Sequence, residues 1–166
     1  ARSEIYSAAT KKDQAMVLFR DAVTMVDLSP ALTHVIAKSG VGERTWNLAY
    51  RRTGSWFRPL SSDDGQSGPR PHIALLDEIH EHRTNLMVEM MKLGQKGRRQ
   101  PRLLGITNSG VDRTSVCWDY HERGIKVASG AIEDDGFFAY ICTLDVLTSG
   151  KGKGKQEDPF KSARCW

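Results

Sequence analysis

The 166-residue sequence has no long apolar run and few cysteines. None of its apolar stretches approaches the roughly 20 residues of a membrane-spanning helix, so we expect no membrane contact. The segment Ala1–Ile5 lacks the apolar core of a secretory signal. Cys117, Cys142 and Cys165 are widely spaced and form no Cys-x-x-Cys pair. We therefore expect free thiols in a reducing compartment rather than disulfides or a zinc site.

The composition predicts one soluble globular domain with a mildly basic surface. Hydrophobic residues make up 39% of the chain and charged residues 27%, and 166 residues can bury a sizeable core. Lysine and arginine number 24 against 20 acids, which gives a net charge of +4. This excess of positive charge permits contact with phosphates but does not require it.

The stretch Pro71–His82 carries the strongest chemical signal. Its apolar run Ile73–Leu76 is followed by two acids, Asp77 and Glu78. Such a run is typical of a parallel strand covered on both faces, and open parallel sheets bind ligands beyond the carboxyl ends of their strands. Adjacent side chains leave a strand in different directions, so the two acids can have different roles. In P-loop NTPases one acid holds Mg²⁺ through its coordination shell and a neighbouring acid polarises the attacking water.

Two other interpretations of this stretch remain open. An acidic pair after an apolar run also occurs at helix N-termini, where it offsets the helix dipole. Alternatively, a metal could be held by Glu78, His80, Glu81 and His82. Histidines at i and i+2 do not share a helix face, unlike the i, i+4 pair of zinc hydrolases. We therefore expect His80 near a nucleotide-binding edge or at a helix start, without zinc.

Hydrophobic periodicity and breaker residues predict alternating strands and helices. The predicted strands are Glu4–Ala9, Trp46–Tyr50, Gly54–Leu60, Ile73–Leu76, Arg102–Gly110 and Phe137–Leu144. The predicted helices run from the Thr10-x-x-Asp13 start signal to Leu28, for a turn or two within Ser29–Ile36, and over Asn85–Leu93 and Thr114–Ala128. This order predicts an α/β fold with a mostly parallel sheet flanked by helices, and Arg102–Gly110 as a buried strand.

Smaller features complete the prediction. Loops are expected at Lys38–Gly42 and Ser61–Pro69, and a flexible Lys/Gly-rich linker at Ser149–Gln156. We expect a domain over residues 1–147 and a linker over 148–166. In the third helix, one face is predicted to carry Leu86, Met90 and Leu93, and core methionines are predicted at Met87, Met90 and Met91.

Five motifs occur in one order along the chain. They are Phe57–Asp63, Ile73–His80, Arg98–Pro101, Leu104–Gly110 and Ile132–Phe138. Together they resemble the ATPase domain of the large terminase subunit of tailed bacteriophages, the motor that drives DNA into the procapsid. The likeness runs from about Glu4 to Asp145 and resumes at Asp158–Phe160 and Cys165–Trp166.

The resemblance implies a P-loop NTPase fold of the ASCE type that uses ATP and Mg²⁺. Asp77 and Glu78 match the Walker B motif, in which Asp77 would associate with Mg²⁺ and Glu78 would activate the hydrolytic water. A coupling motif that senses the γ-phosphate matches Thr107, Asn108 and Ser109. Two neighbouring parallel strands would bring Glu78 and Thr107 to one sheet edge. The alternative is that Thr107 and Asn108 only turn the chain.

The resemblance also implies partners. These are double-stranded DNA, the small terminase subunit, the portal and further copies in a ring, in the cytoplasm of the host bacterium. An arginine from a neighbouring subunit commonly completes such ring ATPases. The candidates in this chain are Arg58, Arg70, Arg98, Arg99 and Arg113.

The chain departs from the family at the phosphate-binding loop. No Gly-x-x-x-x-Gly-Lys-Ser/Thr sequence is present, and Lys151, Lys153 and Lys155 follow glycines without a following Ser or Thr. In the family this Walker A loop would precede Glu4, where the first predicted strand has nothing before it to pair with. We therefore expect an amino-terminally truncated ATPase domain that turns over little ATP alone and contains no nuclease residues.

Two competing functions remain. Asp77-Glu78-Ile79-His80 has the Asp-Glu-x-His form of a helicase motif, although no second motor domain follows. The chain could also be a non-catalytic module that assembles into a ring or holds DNA.

Overall fold

The computed structural model describes residues 2–61, 68–82, 84–108 and 112–142, and it divides into two compact units, residues 1–122 and 123–166. Its strands are β1 (Glu4–Ala9), β2 (Ile36–Ser39), β3 (Asn47–Tyr50), β4 (Ser55–Ser61), β5 (Ile73–Leu76) and β6 (Arg102–Gly105). Its helices are α1 (Lys12–Leu28), α2 (Pro30–Val35), α3 (Leu86–Gly94) and α4 (Val116–Ala128), and short 3₁₀ turns cover Gly42–Arg44 and Ile79–Glu81.

One six-stranded sheet has the order β2-β3-β4-β1-β5-β6. The strands β4, β1, β5 and β6 are mutually parallel, and β3 joins β4 in antiparallel fashion. The short strand β2 pairs antiparallel with β3 at the edge. This architecture confirms the predicted α/β fold with a mostly parallel sheet flanked by helices.

Side-chain alternation along β1 explains why both faces of the sheet are covered. Tyr6 lies on one face, in a core cluster that includes Met87, Val88 and Met91 of α3. The next residue, Ser7, faces the other way, and its hydroxyl donates to the carbonyl of Ala15 in α1 at 3.0 Å. A second cluster is formed by Phe19, Val26 and Leu48. Helices α1 and α3 therefore cover opposite faces, and full burial of a side chain such as Phe19 contributes about 1.5–3 kcal/mol.

Most predicted elements are confirmed, with shifts at their ends. The strands β1, β3, β4 and β5 and all four helices lie where they were predicted. Helix α1 has Lys11 rather than Thr10 as its N-cap, with no side-chain cap. Helix α4 begins at Val116, two residues after the predicted start. The Thr10-x-x-Asp13 signal therefore located the helix but not its first residue.

Three predictions about strands are wrong. Residues Lys38 and Ser39, predicted as loop, belong to β2, whose short edge position depends on its pairing with β3. Strand β6 ends at Gly105 and is largely exposed at the other edge of the sheet, so it is neither as long nor as buried as predicted. Residues 137–142 form no strand. A strand requires a neighbour that supplies backbone partners, and periodicity alone does not reveal one.

The face of α3 predicted to carry Leu86, Met90 and Leu93 is not the face that packs against the sheet. Leu86 is 73% exposed and Leu93 56% exposed, whereas Met87, Val88 and Met91 are buried against the sheet. Helix α3 is apolar on two adjacent faces. The face that contains Met87, Val88 and Met91 is the one that packs against the sheet. The core role predicted for Met87 and Met91 is therefore confirmed.

Some predictions concern residues outside the described ranges. They include residues 143–166, with the Lys/Gly run and its Lys151, Lys153 and Lys155, and also Ser109. Among the described residues, no helix combines the length and apolar character required to cross a bilayer.

Candidate functional site

Two acids lie at the carboxyl end of β5. The backbone N–H of Asp77 donates to the carbonyl of Ala8 at 3.2 Å, and its carboxylate accepts the N–H of Glu78 at 3.0 Å. Glu78 has φ 48° and ψ 53°, a left-handed conformation that is rare outside glycine. Such a conformation costs about 1–3 kcal/mol. The chain therefore turns sharply as soon as it leaves the sheet, and the two acids stay at the sheet edge.

Thr107 lies at the same edge as Glu78. The hydrogen bonding of β5 to β6 continues beyond the strands, with Ile106 N–H to Leu76 O at 2.9 Å and Ile79 N–H to Ile106 O at 3.4 Å. Thr107 and Asn108 follow directly. The predicted convergence of Glu78 with Thr107 and Asn108 at one end of two parallel strands is thus present.

His80 lies between these two groups. Its Nδ1 atom is 3.2 Å from Glu78 Oε2 and 3.1 Å from Thr107 Oγ1. Its backbone N–H also donates to Thr107 Oγ1 at 3.1 Å. His80 therefore lies at the sheet edge, in the 3₁₀ turn that follows the acids. The sequence offered a nucleotide-binding edge or a helix start as alternatives for it.

His82 is buried beneath the turn that begins with Asp77 and Glu78. It is 5% exposed, and its Nε2 atom lies 3.3 Å from the backbone carbonyl of Asp77. Burial lowers the pKa of His82, because the cation would lose its hydration. Helix α1 holds the same turn through Gln14 Nε2, which donates to Glu81 Oε2 at 2.6 Å. The sequence did not indicate these contacts of His82 and Gln14, since only the tertiary fold brings the two side chains to the turn.

The side chains at this edge suit magnesium better than zinc. Carboxylate and hydroxyl oxygens are hard ligands, and Mg²⁺ commonly takes only one or two protein carboxylates together with phosphate oxygens. The described residues contain no group of three or more His, Cys, Asp or Glu arranged to enclose a metal. His80 and His82 do not converge, since one contacts Thr107 and the other is buried against Asp77.

Among the candidate arginines, Arg58 is held within the fold. Its guanidinium carbon lies 4.2 Å from the ring centroid of Trp56 and 5.0 Å from that of Trp46. Its Nε donates to Asn47 Oδ1 at 3.0 Å. These contacts fix the side chain of Arg58 on β4.

Arg98 is also bound by the chain itself. It forms an ion pair with Glu4 at 3.1 Å and donates to the carbonyls of Arg70 at 2.9 Å and Arg2 at 2.8 Å. These contacts lie at the amino ends of β1 and β5, opposite Asp77.

The other candidate arginines are exposed. Arg70 and Arg99 lie at the amino-end edge with Arg98, and Arg113 lies before α4 with its guanidinium carbon 5.2 Å from the Trp118 ring centroid. Exposure is what an arginine needs in order to reach a neighbouring subunit.

This chain is similar to known proteins in both sequence and fold. A family model described as the terminase large subunit ATPase domain matches residues 1–125. Protein YmfN of Escherichia coli (strain K12) is 30% identical over 118 residues, which cover 70% of this chain and 26% of YmfN.

Two solved structures are similar. The large terminase of bacteriophage HK97 has a TM-score of 0.67 and 22% identity, over 77% of this chain and 27% of that protein. The large terminase ATPase domain of Thermus phage P74-26 has a TM-score of 0.54 and 20% identity, over 72% and 51% respectively. This chain therefore spans 26% of YmfN and 27% of the HK97 protein.

The family match covers most of the chain, from β1 to the first part of α4. It includes the sheet edge that carries Asp77, Glu78 and Thr107, which we call the acidic edge. The solved structures share the fold of that part. The chain belongs to the family of terminase large subunit ATPase domains.

Proposed function

We propose that this chain is part of an ATP-driven motor that moves double-stranded DNA into a phage procapsid. The observation that carries the proposal is the placement of Glu78 and Thr107 at one end of two adjacent parallel strands, with His80 between them. Family membership supports nucleotide use. Ligands of open parallel sheets bind at this edge.

Asp77 is the magnesium-associated acid in this proposal. Its backbone is anchored to β1 and its carboxylate is oriented by the N–H of Glu78, so its position is fixed before any ligand arrives. A bound magnesium ion would neutralise phosphate charge and polarise the transferred phosphoryl group.

Glu78 orients the hydrolytic water and accepts its proton. Its side chain is 36% exposed, and its Oε2 atom is buried without a hydrogen-bond partner among the described residues. In the reaction, the water oxygen bonds to the γ-phosphorus as the bond to the ADP oxygen breaks, and a water proton passes to Glu78.

Thr107, Asn108 and Ser109 sense the γ-phosphate. Neutral hydroxyl and amide groups can hydrogen-bond a phosphate oxygen and rearrange when it leaves. Thr107 is hydrogen-bonded to His80, whose Nδ1 atom lies 3.2 Å from Glu78 Oε2, and this proximity supports a connection between the motif and Glu78 through His80.

An arginine in trans completes the site. Arg70, Arg99 and Arg113 are the favoured candidates because they are exposed, whereas Arg58 and Arg98 are bound by the chain itself. Further copies in a ring, the small terminase subunit, the portal and DNA in the host cytoplasm are the partners in this proposal.

The phosphate cradle is the remaining requirement. The 166 residues contain no Gly-x-x-x-x-Gly-Lys-Ser/Thr sequence, whose backbone N–H groups and lysine hold the phosphates in P-loop NTPases. The same observation favours a second candidate function, a non-catalytic module that assembles into a ring or holds DNA.

ATP turnover distinguishes the two functions. The 166 residues alone should hydrolyse little ATP, whereas a longer protein that joins them to a phosphate-binding loop should hydrolyse ATP in the presence of Mg²⁺. Glu78→Gln should abolish that activity, with Arg51→Gln as a control at an exposed turn. Robust hydrolysis by the 166 residues, lost in Glu78→Gln, would show that the phosphate site is misplaced. No hydrolysis by the longer protein would favour the non-catalytic module.

A further inference from the structure

We propose that Thr107 is a positioning residue whose hydroxyl caps the turn that follows Glu78, and that the direct hydrogen bond to the γ-phosphate comes from Asn108. This inference rests on the functions proposed above for Glu78 and for the coupling motif. It divides that motif into a residue that holds the turn and a residue that contacts the nucleotide.

The 3₁₀ turn that follows Glu78 has no cap of its own. Glu78 precedes it in the left-handed conformation, and its side chain forms no capping hydrogen bond. The N–H groups of Glu81 and His82 bond to the carbonyls of Glu78 and Ile79 at 2.8 and 3.1 Å. The first N–H groups of a helical turn have no acceptor within it, so those of Ile79 and His80 require partners from outside.

The segment that follows β6 supplies both partners. The N–H of Ile79 donates to the carbonyl of Ile106 at 3.4 Å, and the N–H of His80 donates to Thr107 Oγ1 at 3.1 Å. Thr107 lies 27 positions from His80 in the chain, and the pairing of β5 with β6 brings the two together. The Thr107 cap therefore ties the end of one strand to the turn that follows the other.

The position of the Glu78 carboxylate depends on this turn. Glu78 Oε2 is buried without a hydrogen-bond partner among the described residues, so no hydrogen bond fixes that atom. Loss of the Thr107 cap would free the start of the turn directly after Glu78. The carboxylate would then be less well oriented toward the water, which lowers the rate of the chemical step more than the affinity for nucleotide.

The Thr107 hydroxyl has no free hydrogen for a phosphate. A hydroxyl has one hydrogen and two lone pairs. Its hydrogen points to the carbonyl of Asn108 at 3.0 Å, and one lone pair accepts the His80 N–H. His80 Nδ1 at 3.1 Å and Cys117 Sγ at 3.5 Å lie beside the same oxygen. A deprotonated phosphate oxygen can only accept, so it would have to displace the bond to Asn108.

Asn108 has the hydrogens that a phosphate needs. It is exposed, directly follows Thr107 in the chain, and carries two hydrogens on its side-chain amide. Its backbone carbonyl is held by the Thr107 hydroxyl, with Cys117 Sγ of α4 3.9 Å away. Thr107 thus fixes the backbone of Asn108 as well as the turn.

Nucleotide discrimination separates the two roles in the longer, ATP-hydrolysing protein. Thr107→Val removes the hydroxyl at nearly constant shape and should lower kcat about 10- to 100-fold. Its preference for a nonhydrolysable ATP analogue over ADP, measured by titration calorimetry, should remain. Asn108→Ala should reduce that preference about tenfold, because a hydrogen bond to a charged group is lost. Thr107→Ser keeps the hydroxyl and should recover most of the lost kcat.

Thr24→Val is the matched control and should leave kcat unchanged. Thr24 is exposed on α1, and its hydroxyl donates to the carbonyl of Arg20 at 3.0 Å. A Thr107→Val variant that loses the preference for the analogue while Asn108→Ala keeps it would overturn the proposal. An unchanged kcat in Thr107→Val, or a loss that Thr107→Ser does not restore, would overturn it too.

Amide hydrogen exchange of the 166-residue chain tests the cap without nucleotide. The His80 amide should exchange about tenfold faster in Thr107→Val and at nearly the original rate in Thr107→Ser. The Thr45 amide, which bonds to the carbonyl of Gly42 at 3.1 Å in the other 3₁₀ turn, should not change. Equal His80 exchange in all three proteins would contradict the cap. If the longer protein hydrolyses no ATP, the proposed function fails, and the exchange rates still decide whether Thr107 caps the turn.

Discussion

At the scale of the residue, Glu78 combines a chemical group with an unfavourable backbone. Its left-handed conformation disfavours any side chain with a Cβ atom, whereas glycine adopts it readily. The fold retains this conformation at the point where the chain must leave the sheet edge. Backbone strain of this kind concentrates at functional sites.

We expect Glu78→Gly to be more stable than Glu78→Ala by about 1 kcal/mol, because alanine keeps the left-handed strain and glycine removes it. Urea denaturation of both variants of the 166-residue chain would measure the difference. In an ordinary strand or helix the order is reversed. A more stable alanine variant would show that residue 78 is not left-handed in solution.

Tyr6 provides a prediction about pH. Burial, and then the carboxylate of Glu4, raise the pKa of Tyr6 above its ordinary value. The folded state therefore favours the neutral phenol, and this contribution to stability is complete below the unfolded pKa of about 10. It is lost as the pH rises from there towards the higher pKa of the folded state.

Denaturation from neutral to strongly alkaline pH should thus show a smaller loss of stability for Tyr6→Phe than for the unsubstituted chain. Parallel curves for the two proteins would contradict the assigned shift.

The sequence revealed part of the residue-scale site. Asp77, Glu78 and Thr107 follow recognisable strands, so their position at an edge could be predicted from local patterns. His82 could not, because its burial depends on the packing of residues distant in the chain. The hydrogen bond from Gln14 to Glu81 is similarly invisible, since 67 positions separate the two residues.

At the scale of the element, α3 illustrates how packing overrides local preference. An alanine side chain at Gly94 would place its Cβ 2.2 Å from the carbonyl oxygen of Pro69 and 2.9 Å from Pro71 Cδ. Both neighbours belong to a segment that enters β5 and cannot easily move away. Gly94 thus permits a close approach between α3 and the segment that leads to the acids.

Gly94→Ala should therefore destabilise the chain by about 1–3 kcal/mol, although the same change in an exposed helix normally stabilises it. Leu93→Ala is the control in the same helix, because Leu93 is exposed and the change should stay within about 0.5 kcal/mol. Thermal unfolding of the two variants would test this, and equal melting temperatures would contradict the packing.

The accuracy of prediction differed between central and edge elements. The central strand β5 has a continuous apolar run, which is typical of a strand paired on both sides and covered on both faces. The extents of β2 and β6 depend on a partner at only one side, so their sequences do not specify where pairing stops.

At the scale of the whole molecule, the two ends of the parallel strands have different chemistry. Asp77, Glu78 and Thr107 occupy the carboxyl end, whereas Arg70 and Arg98 lie at the amino end. In a ring, exposed arginines of one subunit could complete the acidic edge of the next.

Mixing variants tests this arrangement in the longer, ATP-hydrolysing protein. Subunits with Glu78→Gln and subunits with the essential arginine changed to alanine should regain part of the activity when combined, because some interfaces then contain both intact groups. One of Arg70, Arg99 and Arg113 should behave in this way, and Arg58→Ala should not. Failure of all three would place the arginine outside this chain.

The most direct test of the central claim is the position of the metal–nucleotide complex. With Mn²⁺ in place of Mg²⁺ and ATP bound to the longer protein, paramagnetic broadening should remove the amide signals of Asp77, Glu78 and Thr107. The signals of Arg51 and Arg52, in the turn before the amino end of β4, should persist. Sharp signals at the acidic edge and broadening elsewhere would contradict the account.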